Sequence, residues 1–211
     1  MTFQTLLFDL DGTISNPFEG ISKCVNHALA AHGFDPAPPE RIRRMIGPPL
    51  TEIFEELTGA LTDAKMLDLV NAYRERYATS GYAENVVYPG IADALAALAG
   101  RGYRLGICTS KRADYAAKIV EMFGLAHLFR FIDGGDIHVK KFMQIERLVS
   151  GGIDPRTAVM IGDRAIDVDA ARINGIAAIG VCWGFGGLEE LESAAPEYIV
   201  REPAELLGLF P

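Results

Sequence analysis

Short apolar runs recur along this chain at residues 6–11, 104–109, 129–133, 158–163 and 177–182, and several of them are continuous. A strand covered on one face alternates apolar and polar side chains. A continuous run predicts a strand covered on both faces. Stretches with helical spacing, at residues 91–99, 113–123, 142–150 and 165–174, separate the runs, and a shorter strand is expected at 198–200. This order predicts an α/β fold built on a doubly wound parallel sheet. Ligands in such sheets sit beyond the C-terminal ends of the strands. Asp9, Thr109 and Asp163 all fall at such ends, although they are far apart in sequence.

One stretch breaks the alternation. From residue 16 to 81 the patterns are helical only. Asn16-Pro17-Phe18-Glu19 has the form of a helix start, with Asn at the N-cap, Pro at N1 and Glu at N3. Ile21, Val25, Ala28 and Leu29 keep helical spacing up to Gly33. Further helices are expected at 39–45, 50–57 and 63–77. The predicted organisation is a core of residues 1–15 and 82–211 with an all-helical insert, 16–81, over the first strand end. Residues 15–17 and 81–90 are the candidate hinges of a lid, whose closure would exclude water from a site at that strand end.

The first run ends in Phe8-Asp9-Leu10-Asp11-Gly12-Thr13. Residues two apart on a strand share a face. The two carboxylates repel one another unless a cation lies near them, and Gly12 lets the backbone turn sharply. A strand ending in an Asp-Gly turn is the plainer alternative. The second run ends in Thr109-Ser110-Lys111, whose hydroxyls and main-chain N–H groups suit a phosphate or merely cap a helix. Lys140 and Lys141 precede the next helical pattern, and one of them can neutralise a phosphate oxygen. The fourth run ends in Gly162-Asp163, with Asp167 one helical turn on. Asp163 suits direct metal ligation and Asp167 a supporting place behind it.

Composition bounds the partners. The 211 residues are 49% hydrophobic and 23% charged, with a net charge of −8. That charge argues against a nucleic-acid polymer or an anionic membrane surface. Cys24, Cys108 and Cys182 are isolated in apolar stretches, which reads as buried thiols in a reducing compartment. The start of the chain lacks a secretory pattern, and a cytoplasmic location is expected.

These four elements, in this order and with a helical insert after the first, resemble the haloacid dehalogenase superfamily. More narrowly they resemble its phosphatases with a helical cap, of the phosphoglycolate phosphatase or 5′-nucleotidase kind. Gly47-Pro48-Pro49-Leu50, Tyr88-Pro89-Gly90 and Trp183-Gly184-Phe185-Gly186 are similar to that subgroup too. The resemblance implies a Rossmann-like core, Mg²⁺ and an aspartyl-phosphate intermediate. Asp9 would be the nucleophile. Asp11 would protonate the leaving oxygen and then activate water. Mg²⁺ would be held by Asp9, the main-chain carbonyl of Asp11, and Asp163, with Asp167 behind. Thr109 and Ser110, with Gly12, Thr13 and Lys141, would meet the phosphate. An ungapped match back from Gly162-Asp163 puts the family's lysine at Lys140, with Lys141 beside it as the alternative.

The chain departs from many relatives in Ser15-Asn16, in Ser110, in the short segment between Asp136 and Lys140, and in lacking a proline after the lysine. The implied activity is hydrolysis of a small phosphorylated metabolite, phosphoglycolate or a nucleoside monophosphate foremost. A phosphomutase of the same superfamily shares every core residue, and a phosphate-binding protein without catalysis is the remaining alternative. A dehalogenase needs neither Asp11 nor Asp163. Substrate contacts are expected among Arg44, the 47–49 loop, Lys111 and Arg112. Trp183 and Phe185 are candidates to stack on a base.

Overall fold

The computed structural model describes residues 3–136 and 138–211. In chain order its strands are β1 (Thr5–Phe8), β2 (Ser15–Asn16), β3 (Val86–Val87), β4 (Arg104–Thr109), β5 (Phe129–Gly134), β6 (Ala158–Gly162), β7 (Ala177–Val181) and β8 (Tyr198–Val200). The helices are α1 (Phe18–Ala31), α2 (Pro39–Arg44), α3 (Leu50–Thr58), α4 (Asp63–Arg76), α5 (Ile91–Gly100), α6 (Ala113–Met122), α7 (Lys141–Ser150), α8 (Ala165–Ile173), α9 (Gly187–Ala194) and α10 (Pro203–Leu209).

Six strands form one parallel sheet in the order β5-β4-β1-β6-β7-β8. The expected doubly wound fold is present. β1 is continuous in apolar residues because both its faces are covered. Leu6 and Phe8 join the cluster that holds Leu95 of α5, Ile119 of α6 and Leu206 of α10, whereas Leu7 joins Ile145, Val168 and Leu191 on the other face. The chain leaves β1 on one side toward β4 and β5 and returns to the other for β6, β7 and β8. The strand order therefore reverses at β1, and the crevice at such a reversal is where ligands bind. Phe8 pairs with Ile107 and Ile161, so the ends of β4, β1 and β6 lie side by side.

Between β2 and β3 the regular elements are α1 to α4 and a π turn, and they have a core of their own. Ile21, Val25 and Leu29 of α1 pack with Ile53 and Phe54 of α3 and with Leu69, Val70 and Tyr73 of α4. Tyr115 of α6 belongs to the same cluster and ties this segment to the sheet. Where the chain crosses between the two parts, β2 and β3 pair as an antiparallel ribbon. Strands of two residues have no period to detect, so the sequence marks these positions only as hinges.

Four local expectations are corrected. Asn16 lies in β2, and Pro17 occupies the N-cap of α1, while Asn16 Oδ1 accepts from the Phe18 N–H at 3.1 Å. Ser110 caps no helix, because α6 begins at Ala113 behind Arg112. α4 runs into a π turn, Tyr77–Gly81, in place of a plain end at Tyr77. α9, which follows a glycine-rich turn, and α10, which begins at Pro203, are additions to the expected helices.

Candidate active site

Three of the four motif carboxylates, those of Asp9, Asp163 and Asp167, meet at the C-terminal end of the sheet. Asp9 follows β1 directly and its N–H donates to Ile161 O at 2.9 Å, which continues the ladder and holds the side chain at the strand end. One Asp9 oxygen, Oδ1, accepts from the Leu10 N–H at 2.8 Å, and Oδ2 lies 2.9 Å from Lys141 Nζ. Gly12 then turns the chain with φ of 86°, and a Cβ there would overlap the Asp163 carboxylate.

Asp163 is fully buried behind β6. Its Oδ1 accepts from Thr13 Oγ1–H at 3.2 Å and its Oδ2 from the Phe185 N–H at 2.7 Å. Asp167, one turn into α8, accepts from the Arg164 N–H at 3.1 Å and pairs with Lys141 at 2.5 Å. Asp9, Asp163 and Asp167 each present a carboxylate oxygen within 4.8 Å of the others. Burial pushes Asp163 well above the usual carboxylate range, and the Asp167 and Asp9 charges add to it. Burial also raises Asp167, to about 6, against the pull of Lys141. For Lys141 burial acts to lower the pKa, but Asp167 and Asp9 outweigh it and keep the ammonium charged.

Asp11 stands apart from that cluster. Its Oδ2 pairs with Lys111 Nζ at 2.7 Å, and its Oδ1 is buried without a hydrogen-bond partner among the described residues. Burial raises the pKa of Asp11, with Lys111 acting in the opposite sense.

Asp9, Asp11, Thr109, Ser110 and Lys111 line one cavity of about 110 Å³ beneath the helical segment. Ile46, Gly47, Pro48, Pro49 and Tyr77 face it from that segment. Thr109 is buried, and its Oγ1 accepts from the Lys111 N–H at 3.3 Å.

The two adjacent lysines part company here. Lys140 is exposed at the N-cap of α7, while Lys141, the first residue of the helix, is 1% exposed and lies against Asp9. The structure thus brings Lys141, and not Lys140, to the carboxylates. Helical spacing carried the signal, since Lys141, Gln144 and Ile145 share the buried face of α7. Gln144 is a residue that sequence reasoning missed. Its amide donates to Thr109 O at 2.9 Å and to Asp133 Oδ1 at 3.0 Å, fixing the end of β4.

Other candidates take different places. Gly12 and Thr13 pack on Asp163 and are outside the cavity lining. Trp183 Nε1–H donates to Thr13 O at 2.9 Å, and Phe185 packs under Arg43, so neither offers a face to the cavity. Arg44 does not line the cavity either; its carbonyl accepts from Arg164 at 3.3 Å. The 47–49 loop and Arg112 do line it.

Four buried or nearly buried carboxylates, Asp9, Asp11, Asp163 and Asp167, face two ammonium groups, Lys111 and Lys141. A set of hard oxygen donors with an excess of negative charge fits a divalent cation.

The model of the haloacid dehalogenase-like hydrolase family matches residues 6–181. A 5′-nucleotidase of Pseudomonas aeruginosa is 37% identical over 98% of this chain and 95% of its own length. The pyrophosphatase PpaX of Bacillus pumilus is 30% identical over 99% of this chain and 96% of its own. Among solved structures, a predicted phosphatase from Clostridium acetobutylicum superposes with a TM-score of 0.93 at 34% identity, covering 99% of this chain and 98% of that one. Among the described residues no helix is long and apolar enough to cross a membrane.

Proposed function

The chain belongs to the haloacid dehalogenase-like hydrolases and is a phosphatase of that family, and on this premise we propose that it hydrolyses a small phosphomonoester through a phosphorylated Asp9 with Mg²⁺ bound. The observation that carries the proposal is the pairing of Asp9 with Lys141 beside Asp163, with Asp11 two residues on and Thr109 lining the same cavity.

A carboxylate oxygen of Asp9 forms the bond to phosphorus as the bond to the leaving oxygen breaks. Asp11 gives its proton to that oxygen, and as a carboxylate it then takes a proton from the water that attacks the aspartyl-phosphate. Lys141 neutralises charge on Asp9 and on the phosphoryl oxygens near it, and Thr109 Oγ1–H donates to one of those oxygens. Asp9, Asp163 and the Asp11 main-chain carbonyl would hold the Mg²⁺, which would add positive charge at the phosphoryl group. Asp167, bonded to Lys141, keeps that ammonium in place. The helical segment acts as the cap that excludes water from the cavity. The free state of all three cysteines supports a reducing, cytoplasmic setting.

The cavity wall bears on the substrate. Its cations are already matched: Lys111 with Asp11, Arg74 with Asp136 at 2.8 Å, and Arg112 with Asp114 at 3.0 Å. Pro48 and Pro49 bring no N–H donor, and Ile46 and Ile53 are apolar. This supports a nucleoside monophosphate over phosphoglycolate, whose carboxylate would need a counter-charge.

Phosphate release with Mg²⁺ from nucleoside monophosphates, phosphoglycolate, pyrophosphate and sugar phosphates tests this. Turnover that is lost in EDTA and in Asp9→Asn is the expected result. Activity that survives Asp9→Asn would refute the mechanism, and phosphoglycolate as the best substrate would refute the choice of leaving group.

A further inference from the structure

The carboxylate assigned to proton transfer is held by a lysine that the chemistry above does not use. Lys111 Nζ bonds Asp11 Oδ2 at 2.7 Å, while Asp11 Oδ1 has no partner among the described residues. The main chain of Lys111 is fixed on both sides: its N–H donates to Thr109 Oγ1, and its carbonyl accepts from the Gly135 N–H at 2.9 Å. Its ammonium also lies 4.7 Å from the centre of the Tyr77 ring.

Tyr77 comes from the helical segment, at the start of the π turn. Its ring is clamped in turn. It stacks on Tyr73 at 5.3 Å with an interplanar angle of 12°, and Tyr115 of α6 meets it edge-on at 5.1 Å and 77°. The ammonium is therefore set by a core carboxylate on one side and by an aromatic face of the helical segment on the other. Such a cation loses freedom at both contacts. Lys141 serves Asp9 and Asp167, so each reacting carboxylate has a lysine of its own.

We propose that Lys111 is the positioning residue of Asp11, and that Tyr77 sets where Lys111 stands, so that Asp11 is aligned when the helical segment is seated. This rests on the reading that Asp11 moves the proton. A substrate contact that shifts Tyr77 then alters proton transfer without touching Asp11.

Lys111→Met keeps the apolar stem along Tyr77 and removes the ammonium. The measurement is kcat/KM, which covers the steps through loss of the leaving group, on an alkyl phosphate and on p-nitrophenyl phosphate. An alkyl leaving group needs the proton and a nitrophenolate does not. The expected loss is about 100-fold on the alkyl ester and under about fivefold on the aryl ester. Tyr77→Leu should show the same leaving-group dependence, and Lys111→Arg should recover part of the loss. In an Asp11→Asn background, Lys111→Met should cost nothing further. Equal losses on both esters, or a further loss in that background, would overturn the proposal. Crystal structures of the native chain and Lys111→Met test it apart from turnover. Asp11 should leave its present orientation, and an unmoved Asp11 refutes the proposal even where the phosphatase reading fails. Should Lys111→Met not fold, Tyr77→Leu and Lys111→Arg carry the same comparison.

Discussion

Lys140 and Lys141 differ by one position and by their whole environment. A helix turns about 100° per residue, so the first residue of α7 faces the sheet while its N-cap faces solvent. Burying an ammonium is tolerable only with full pairing, and Lys141 has two carboxylates within 2.9 Å. Lys141→Met should therefore lower kcat by at least about 100-fold, the scale on which a preorganised charge contact acts. Lys140→Met should leave kcat within about twofold, as expected for a surface change with no buried partner. Steady-state kinetics of the two variants decide the matter, and a larger loss in Lys140→Met would reverse the assignment. The motif carboxylates were legible in the sequence because each ends an apolar run or follows one within a helical turn. The Lys111–Tyr77 contact was not, because no pattern links residues so far apart that meet only after folding.

At the scale of elements, the seat of the helical segment depends on close backbone approach. A Cβ at Gly20 of α1 would overlap the carbonyl oxygen of Gly81 in the π turn, and a Cβ at Gly81 would press on Cys24 Sγ and the Tyr77 ring. Gly81 closes the π turn that begins at Tyr77, whose ring stacks on Tyr73. Gly20→Ala should thus cost about 1–3 kcal/mol of stability, the range for overpacking, read from the urea midpoint. A midpoint equal to that of the native chain would show that the two elements can part at no cost. Arg164 secures the other side, donating to the carbonyls of Arg44 and Ile46 at the end of α2 and just past it while it pairs with Glu190 at 2.8 Å. The main elements were readable from period alone: β1, β4, β6 and β7 as buried runs, and α1 and α5 to α8 by helical spacing. The ribbon of β2 and β3 was not readable, being too short for any period. α9 was hidden by the glycines before it, which read as loop.

For the molecule as a whole, the strand order gathers negative charge that the sequence scatters from Asp9 to Asp167. Folding buries Asp163 and Asp167, and burial raises the pKa of both above that of the unfolded chain. The folded, metal-free protein therefore binds more protons than the unfolded chain as those groups titrate. By linkage their contribution is fully present below the ordinary aspartate value of about 4. It is lost as pH rises through the folded value, about 6 for Asp167. In EDTA the thermal midpoint should accordingly carry a downward component between about pH 4 and 6. On the proposed reading a divalent cation would bind the ionised carboxylates of the folded state alone, so Mg²⁺ should stabilise most where they are ionised. At about ten to one hundred times its dissociation constant the gain is about 1.4–2.7 kcal/mol. Differential scanning calorimetry with EDTA and with Mg²⁺ should give two curves that separate as pH rises from about 5 to 7.5. Asp163→Asn removes a proposed metal ligand together with one of the repelling charges, and should bring the curves together while raising the EDTA curve. Curves that coincide across this range in the native chain would mean that the acid cluster is neutralised by its lysines alone and holds no cation.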